Sequence, residues 1–221
     1  VAAINATGNI LDARRPILQD VTGVISYTDP AWSANGQYLA YVQTDNYVSQ
    51  ASIYVQKYTI STSSSGAVTP IGAPLLVVSG AGGVSNRHPA WSPTGLQLAY
   101  DSNATGLSID LYTVDVNPAA ATVGTPVQRT TINNKAEFKP DYSPDGTKLA
   151  FVTNLYGPFS IQVLSLADNT FVGAESNPAL VTHDNPSWSS DGLSIYYDAP
   201  AGEDSALPQD IWKLDLATQA K

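Results

Sequence analysis

Short apolar segments of five to eight residues recur along the chain, most of them alternating with polar residues and separated by breaks rich in Gly, Asn, Asp and Pro. Period-two alternation marks half-buried strands, and no stretch carries the 3.6-residue spacing of an amphipathic helix. One break is written four times, as PAWSANGQYLAYVQ from Pro30, PAWSPTGLQLAYDS from Pro89, PDYSPDGTKLAFVT from Pro140 and PSWSSDGLSIYYDA from Pro186. The ring residues Trp32, Trp91, Tyr142 and Trp188 stand 59, 51 and 46 residues apart, each followed four residues later by a glycine (Gly36, Gly95, Gly146, Gly192). A repeat at that period is the sequence mark of stacked units.

Each copy reads as a hairpin whose turn, such as SPDG or SANG, uses residues that tolerate positive φ. The hairpins begin near residues 24, 84, 136 and 182. A third alternating segment follows each one: SIYVQKY from Ser52, DLYTVDV from Asp110, SIQVLSL from Ser160 and DIWKLDL from Asp210. Fourth segments open on a proline, PLLVVS at Pro74, PVQRTT at Pro126 and PALVT at Pro178, which suits an outer strand that loses no ladder N–H there. Four short strands per unit predict an all-β fold, a β-propeller of four-stranded antiparallel blades. The pattern predicts one domain over residues 1–221 with four blades. The last unit stops after its third strand, and PILQDVT, near residues 16–22, is expected to close it, which removes the open edge. The alternative is a slice of a larger propeller, because VAAINATGNILDARRP matches VLSLADNTFVGAESNP in length up to its proline.

These motifs resemble the TolB-like (WD40-like) β-propeller repeat over residues 16–216, with Ala34-Asn35 in place of Pro-Asp and Tyr142 in place of Trp as departures. The resemblance implies the fold. It also implies kinship with propellers that precede prolyl-oligopeptidase domains and with those of cell-envelope and surface proteins. Function is specified poorly, because the repeated residues build blades rather than sites.

Composition narrows the partners. Apolar residues make up 43% and charged residues only 13%, and nineteen acids against ten bases give a net charge of −9. That charge argues against nucleic acid and anionic membranes, and no apolar run reaches the roughly 20 residues of a membrane span. The absence of cysteine excludes disulfides and thiolate metal sites. The absence of methionine, the low charge and the small-residue start VAAINATG predict an exported chain, periplasmic or extracellular, with its signal peptide removed.

Candidate chemistry is sparse. The sequence contains no G-x-S-x-G elbow, no H-E-x-x-H and no Gly-rich phosphate loop, and its two histidines, His88 and His183, sit in no catalytic motif. No catalytic residue, metal or cofactor is assigned, and the chain is expected not to be an enzyme. The repeat aromatics, at equal phase in every unit, are expected to wedge between neighbouring blades. Residues just before each repeat proline differ between copies, and a ring gathers them at one channel mouth. Asp29, Arg87, His88, Glu137, Lys139, His183 and Asp184 form this rim, either pairing with one another or binding a peptide or glycan. A cation held by Asp29, Asp184 and a histidine is the weaker alternative. The expected function is a non-enzymatic protein-interaction or structural module of an envelope or surface assembly. Alternatives are a carbohydrate-binding propeller using Tyr27, Tyr47 and Tyr156, or the propeller portion of a larger enzyme. Partners are a protein or glycan at the mouth or loops, and the oligomeric state stays open.

Overall fold

Each repeat turn is fixed by its own side chains. In the computed structural model, which describes residues 17–60, 68–106, 108–174, 181–201 and 206–217, the turn glycines Gly36, Gly95, Gly146 and Gly192 all have φ near +70°. Their N–H groups donate to the carbonyls of Ser33, Ser92, Ser143 and Ser189 at 2.8–3.0 Å. In three copies the serine hydroxyl donates to the Asn or Asp two residues on and accepts from the next strand's first N–H, as Ser143 does with Asp145 (2.6 Å) and Lys148 (3.0 Å). The S-x-[N/D]-G pattern is therefore a self-satisfied turn that sets hairpin register.

The first sheet holds β1 (Ile25–Trp32), β2 (Tyr38–Asp45), β3 (Gln50–Ile60) and β4 (Val68–Val78) in that order. The second holds β5 (Asn86–Trp91), β6 (Gln97–Ser102) and β7 (Asp110–Asn117), with β8 (Thr122–Val123) and β9 (Val127–Gln128) both pairing with β7. The third holds β10 (Glu137–Tyr142), β11 (Lys148–Thr153), β12 (Ser160–Ser165) and β13 (Phe171–Ala174). The fourth holds β14 (Asp184–Trp188), β15 (Ser194–Pro200) and β16 (Gln209–Asp215). All pairings within these sheets are antiparallel. The innermost strands β1, β5, β10 and β14 line one cavity, so the sheets are the blades of a four-bladed β-propeller, as the repeat predicts.

Apolar area is buried between blades. One cluster joins Ala40, Val42, Ile53 and Val55 of the first sheet to Trp91, Leu98 and Tyr100 of the second. Another joins Ala99 and Leu111 to Tyr142, Leu149 and Phe151. A third joins Ala150, Val152 and Ile161 to Ile195 and Tyr197, with Trp188 packed against it. Each fully buried Leu or Ile in these seams contributes about 1.5–3 kcal/mol of transfer free energy.

Two expectations are corrected. The described part of the predicted closing segment forms no strand against β16, and Pro16 lies outside the described residues. Ile17 and Leu18 instead pack on Leu39, Tyr41 and Tyr58 of the first sheet, leaving three strands in the fourth among the described residues. The third blade's outer strand is β13, ahead of the predicted PALVT, whose residues 178–180 lie outside the described residues. Asp168-Asn169-Thr170 makes the tighter turn that wins: Asn169 takes φ +56° and the Ser165 N–H donates to the Thr170 carbonyl at 2.8 Å.

Candidate functional site

The inner strands share an irregularity that places the site. In every blade the pairing of the first two strands slips at the repeat proline, between Thr28 and Ala31, Arg87 and Ala90, Phe138 and Asp141, and Asp184 and Ser187. The proline falls at the unpaired position, so its missing N–H costs no ladder bond. The residue before it takes left-handed backbone: Asp29 at φ +49°, His88 at +49°, Lys139 at +53° and Asn185 at +52°. That conformation is disfavoured for non-glycine residues, at about 1–3 kcal/mol each. The bulge brings these four residues to the wall of a shared cavity of about 480 Å³, with the repeat prolines and ring residues behind them.

Carboxylates hold the strained segments. Asp101 Oδ2 lies 2.6 Å from His88 Nδ1 and also accepts the Lys139 backbone N–H at 3.1 Å, across the seam between second and third blades. Asp29 Oδ2 accepts the His88 N–H at 3.4 Å, Asp141 Oδ2 accepts the Trp188 N–H at 2.9 Å, and the Lys139 ammonium donates to Asp184 Oδ2. Asn185 Nδ2 donates to Asp198 Oδ1 at 2.7 Å. Burial disfavours the charged His88 imidazole, but the Asp101 hydrogen bond and charge, aided by Asp29, outweigh it and hold its pKa above the usual value. Burial raises the Asp141 carboxyl, against the Trp188 and Tyr142 N–H groups.

Of the residues expected at the rim, Asp29, His88 and Lys139 line the cavity. Asp184 stands beside it as the partner of Lys139, and the exposed Arg87 donates to Ser85 Oγ at 3.0 Å. Glu137 and His183 are fully buried between blades, His183 with its ring 5.0 Å from that of Tyr197. They stand three residues before their prolines, where the strand still faces the seam. Asn185 was missed, although its place directly before Pro186, matching Asp29, His88 and Lys139, was the available signal. Of the tyrosines considered for sugar binding, Tyr47 and Tyr156 are exposed and Tyr27 packs edge-on against Tyr41. Among the described residues no group of three or more His, Cys, Asp or Glu gathers to hold a metal. No described helix is long and apolar enough to cross a membrane. The arrangement is chemically a polar, mixed-charge cup with hydrogen-bonding groups and a proline-aromatic wall.

No protein-family model matches the chain. An uncharacterized peptidase, YuxL of Bacillus subtilis, is 25% identical over 87% of this chain, which spans 33% of that protein. The crystal structure of TolB from Acinetobacter baumannii matches with a TM-score of 0.63 at 18% identity, over 88% of this chain and 42% of that one. A puromycin-hydrolyzing peptidase of Mycobacterium tuberculosis matches equally, with a TM-score of 0.63 at 18% identity, over 88% of this chain and 28% of its own. The expectations of a non-enzymatic interaction or structural module, and of a chain that is not an enzyme, are thereby overturned: the curated relative is named a peptidase and one solved neighbour is a peptidase. The error came from reading absent catalytic motifs as an absent enzyme, when the matched region is only part of the peptidases.

Proposed function

We propose that this chain is the propeller portion of a peptidase, handling peptide substrate at its central cavity while bond cleavage belongs to a domain outside these 221 residues. The observation that carries this reading is the similarity to a named peptidase across 87% of the chain. The cavity supports it physically. Asp29, His88, Lys139 and Asn185 offer donors and acceptors of both charges on bulges, suited to the backbone and termini of an extended peptide. Asp184 and Arg87 extend the polar surface outward. The four copies of the turn motif accord with the TolB-like repeat family. Low charge and abundant Ser and Thr accord with a periplasmic or extracellular location.

The test is hydrolysis of fluorogenic peptides by the full-length protein. Lys139→Ala and His88→Ala are expected to raise KM several-fold with little change in kcat, because they remove binding that is uniform between ground and transition states. A full-length protein without peptidase activity, or variants with unchanged KM, overturns the reading.

A further inference from the structure

Three or four residues before the second, third and fourth repeat prolines, the inner strand bonds to the preceding blade. Ala51 with Ser85, and Ile109 with Ala136, form parallel bridges. The Glu137 N–H donates to the Ile109 carbonyl at 2.8 Å, as the His183 N–H does to that of Phe159 at 2.9 Å. At the second seam this places Asp110 close enough for its charge to act on Glu137. At the first seam the polar group is satisfied: Asn86 Nδ2 donates to the Ala51 and Ser79 carbonyls at 3.1 Å each, and Oδ1 accepts from Ser102 at 2.7 Å.

The second seam sets two acids side by side. Asp110 and Glu137 are both 0% exposed. Asp110 Oδ2 accepts from Thr105 (3.1 Å) and Ser108 (2.8 Å), and Glu137 Oε1 accepts from Thr153 at 3.3 Å. Among the described residues, Asp110 Oδ1 and Glu137 Oε2 have no hydrogen-bond partner. Two fully buried carboxylates on neighbouring strands oppose each other's charge. The nearby cation, Lys135, donates its ammonium to the Asn154 carbonyl instead. The other groups facing Glu137 are the hydroxyls of Thr130 and Thr153.

We propose that Glu137 is held protonated against the Asp110 carboxylate, and that this proton locks the second and third blades together. Its loss to solvent leaves two facing carboxylates and loosens the seam. Glu137 opens the strand whose Lys139, Pro140 and Asp141 line the cavity, so the loosening reaches the site. Burial first, then the Asp110 charge, push the Glu137 pKa up to about 7. A carboxyl raised in the folded state contributes stability that is fully present below its unfolded pKa and lost as pH rises through the folded value. The lock therefore holds in acid and opens as pH rises through about 7.

Urea unfolding of this chain between pH 5 and pH 8.5, with 13C-carboxyl NMR of Glu137, tests the proposal. The wild-type folding constant is expected to fall on the order of a hundredfold over that range, and the Glu137 signal to titrate near neutrality. Glu137→Gln and Asp110→Asn, which keep shape, should each remove most of the fall. His88→Gln, removing a second group whose folded pKa is raised, should leave the Glu137 part intact. Ordinary carboxylate titration of Glu137, or an undiminished pH dependence in both variants, overturns the proposal. So does a pH dependence that shifts with added Ca²⁺ or EDTA, which assigns the pair to a cation. Should neither variant fold, the wild-type carboxyl titration decides alone.

Discussion

Trp91 and Trp32 occupy the same place in the repeat but live in different surroundings. The Trp91 indole N–H donates to the Ala31 carbonyl of the preceding blade at 3.1 Å, and its residue is 9% exposed. Trp188 repeats the arrangement on the Asp141 carbonyl at 3.1 Å, and Tyr142 reaches back to Gln97 Oε1 at 2.8 Å. Trp32 is 36% exposed and meets Tyr58 edge-on within its own blade. The fourth blade offers it no matching surface: where the first three sheets present Ala40, Ala99 and Ala150, the fourth presents Tyr196, 42% exposed, with Ile211 77% exposed nearby. Three seams are closed by one recurring code, whereas the junction of fourth and first blades is not sealed by it. A repeat residue's phase tells what it can do, and its neighbour decides whether it does so.

The largest test of this contrast is truncation of the ring. Trp91→Ala removes a buried indole and its hydrogen bond to the Ala31 carbonyl, and should destabilise by about 3–5 kcal/mol. Trp32→Ala should cost about 1 kcal/mol or less, because most of a seam's burial is missing there. Equal losses in urea unfolding would mean that the junction is closed in solution. The carboxylates provide a second, smaller test. Asp101 binds His88 and also the Lys139 N–H of the next blade, whereas Asp198, its counterpart, binds Asn185 in its own blade. Asp101→Ala should therefore cost about 1–3 kcal/mol, and Asp198→Ala under about 1 kcal/mol. The reverse order contradicts the assigned seams.

Much of this architecture was legible because it is local. Turn glycines, serines and acids act within five residues, so four copies of SANG, SPTG, SPDG and SSDG announce four hairpins. Even a departure was readable: a Cβ on Gly146 or Gly192 would lie 3.4 or 3.6 Å from Pro93 or Pro144 of the preceding blade, whereas Gly95, behind Ala34, has nothing within 4 Å. The site was half legible. Strand alternation alone puts Glu137 and His183 on an equal footing with Lys139, but the bulge at the proline advances the chain by one residue, which carries Asn185 to the cavity and leaves His183 in the seam. Closure of the last blade was not legible, since Ile17 and Leu18 suit any apolar face and the first sheet holds them. Nor could absent motifs speak to a peptidase likeness, since the chain spans only 33% of the named relative.

The smallest effect compares two cavity residues held in the same way. His88 Nδ1 lies 2.6 Å from Asp101, and Asn185 Nδ2 lies 2.7 Å from Asp198. The amide cannot titrate in the physiological range, whereas the imidazole can. Burial alone lowers the His88 pKa, and the Asp101 bond and charge with Asp29 reverse the sign, so the folded value stands above the ordinary one. Its stabilising share is therefore complete below an unfolded pKa of about 6.5 and is lost as pH rises through the folded value. His88→Asn copies the fourth blade's pair and keeps a donor for Asp101. It should match wild type at pH 9 and fall short at pH 5.5 by under about 1 kcal/mol, since the pair is partly solvated. A variant equally short at both pH values would show that the imidazole serves the seam by shape and not by charge.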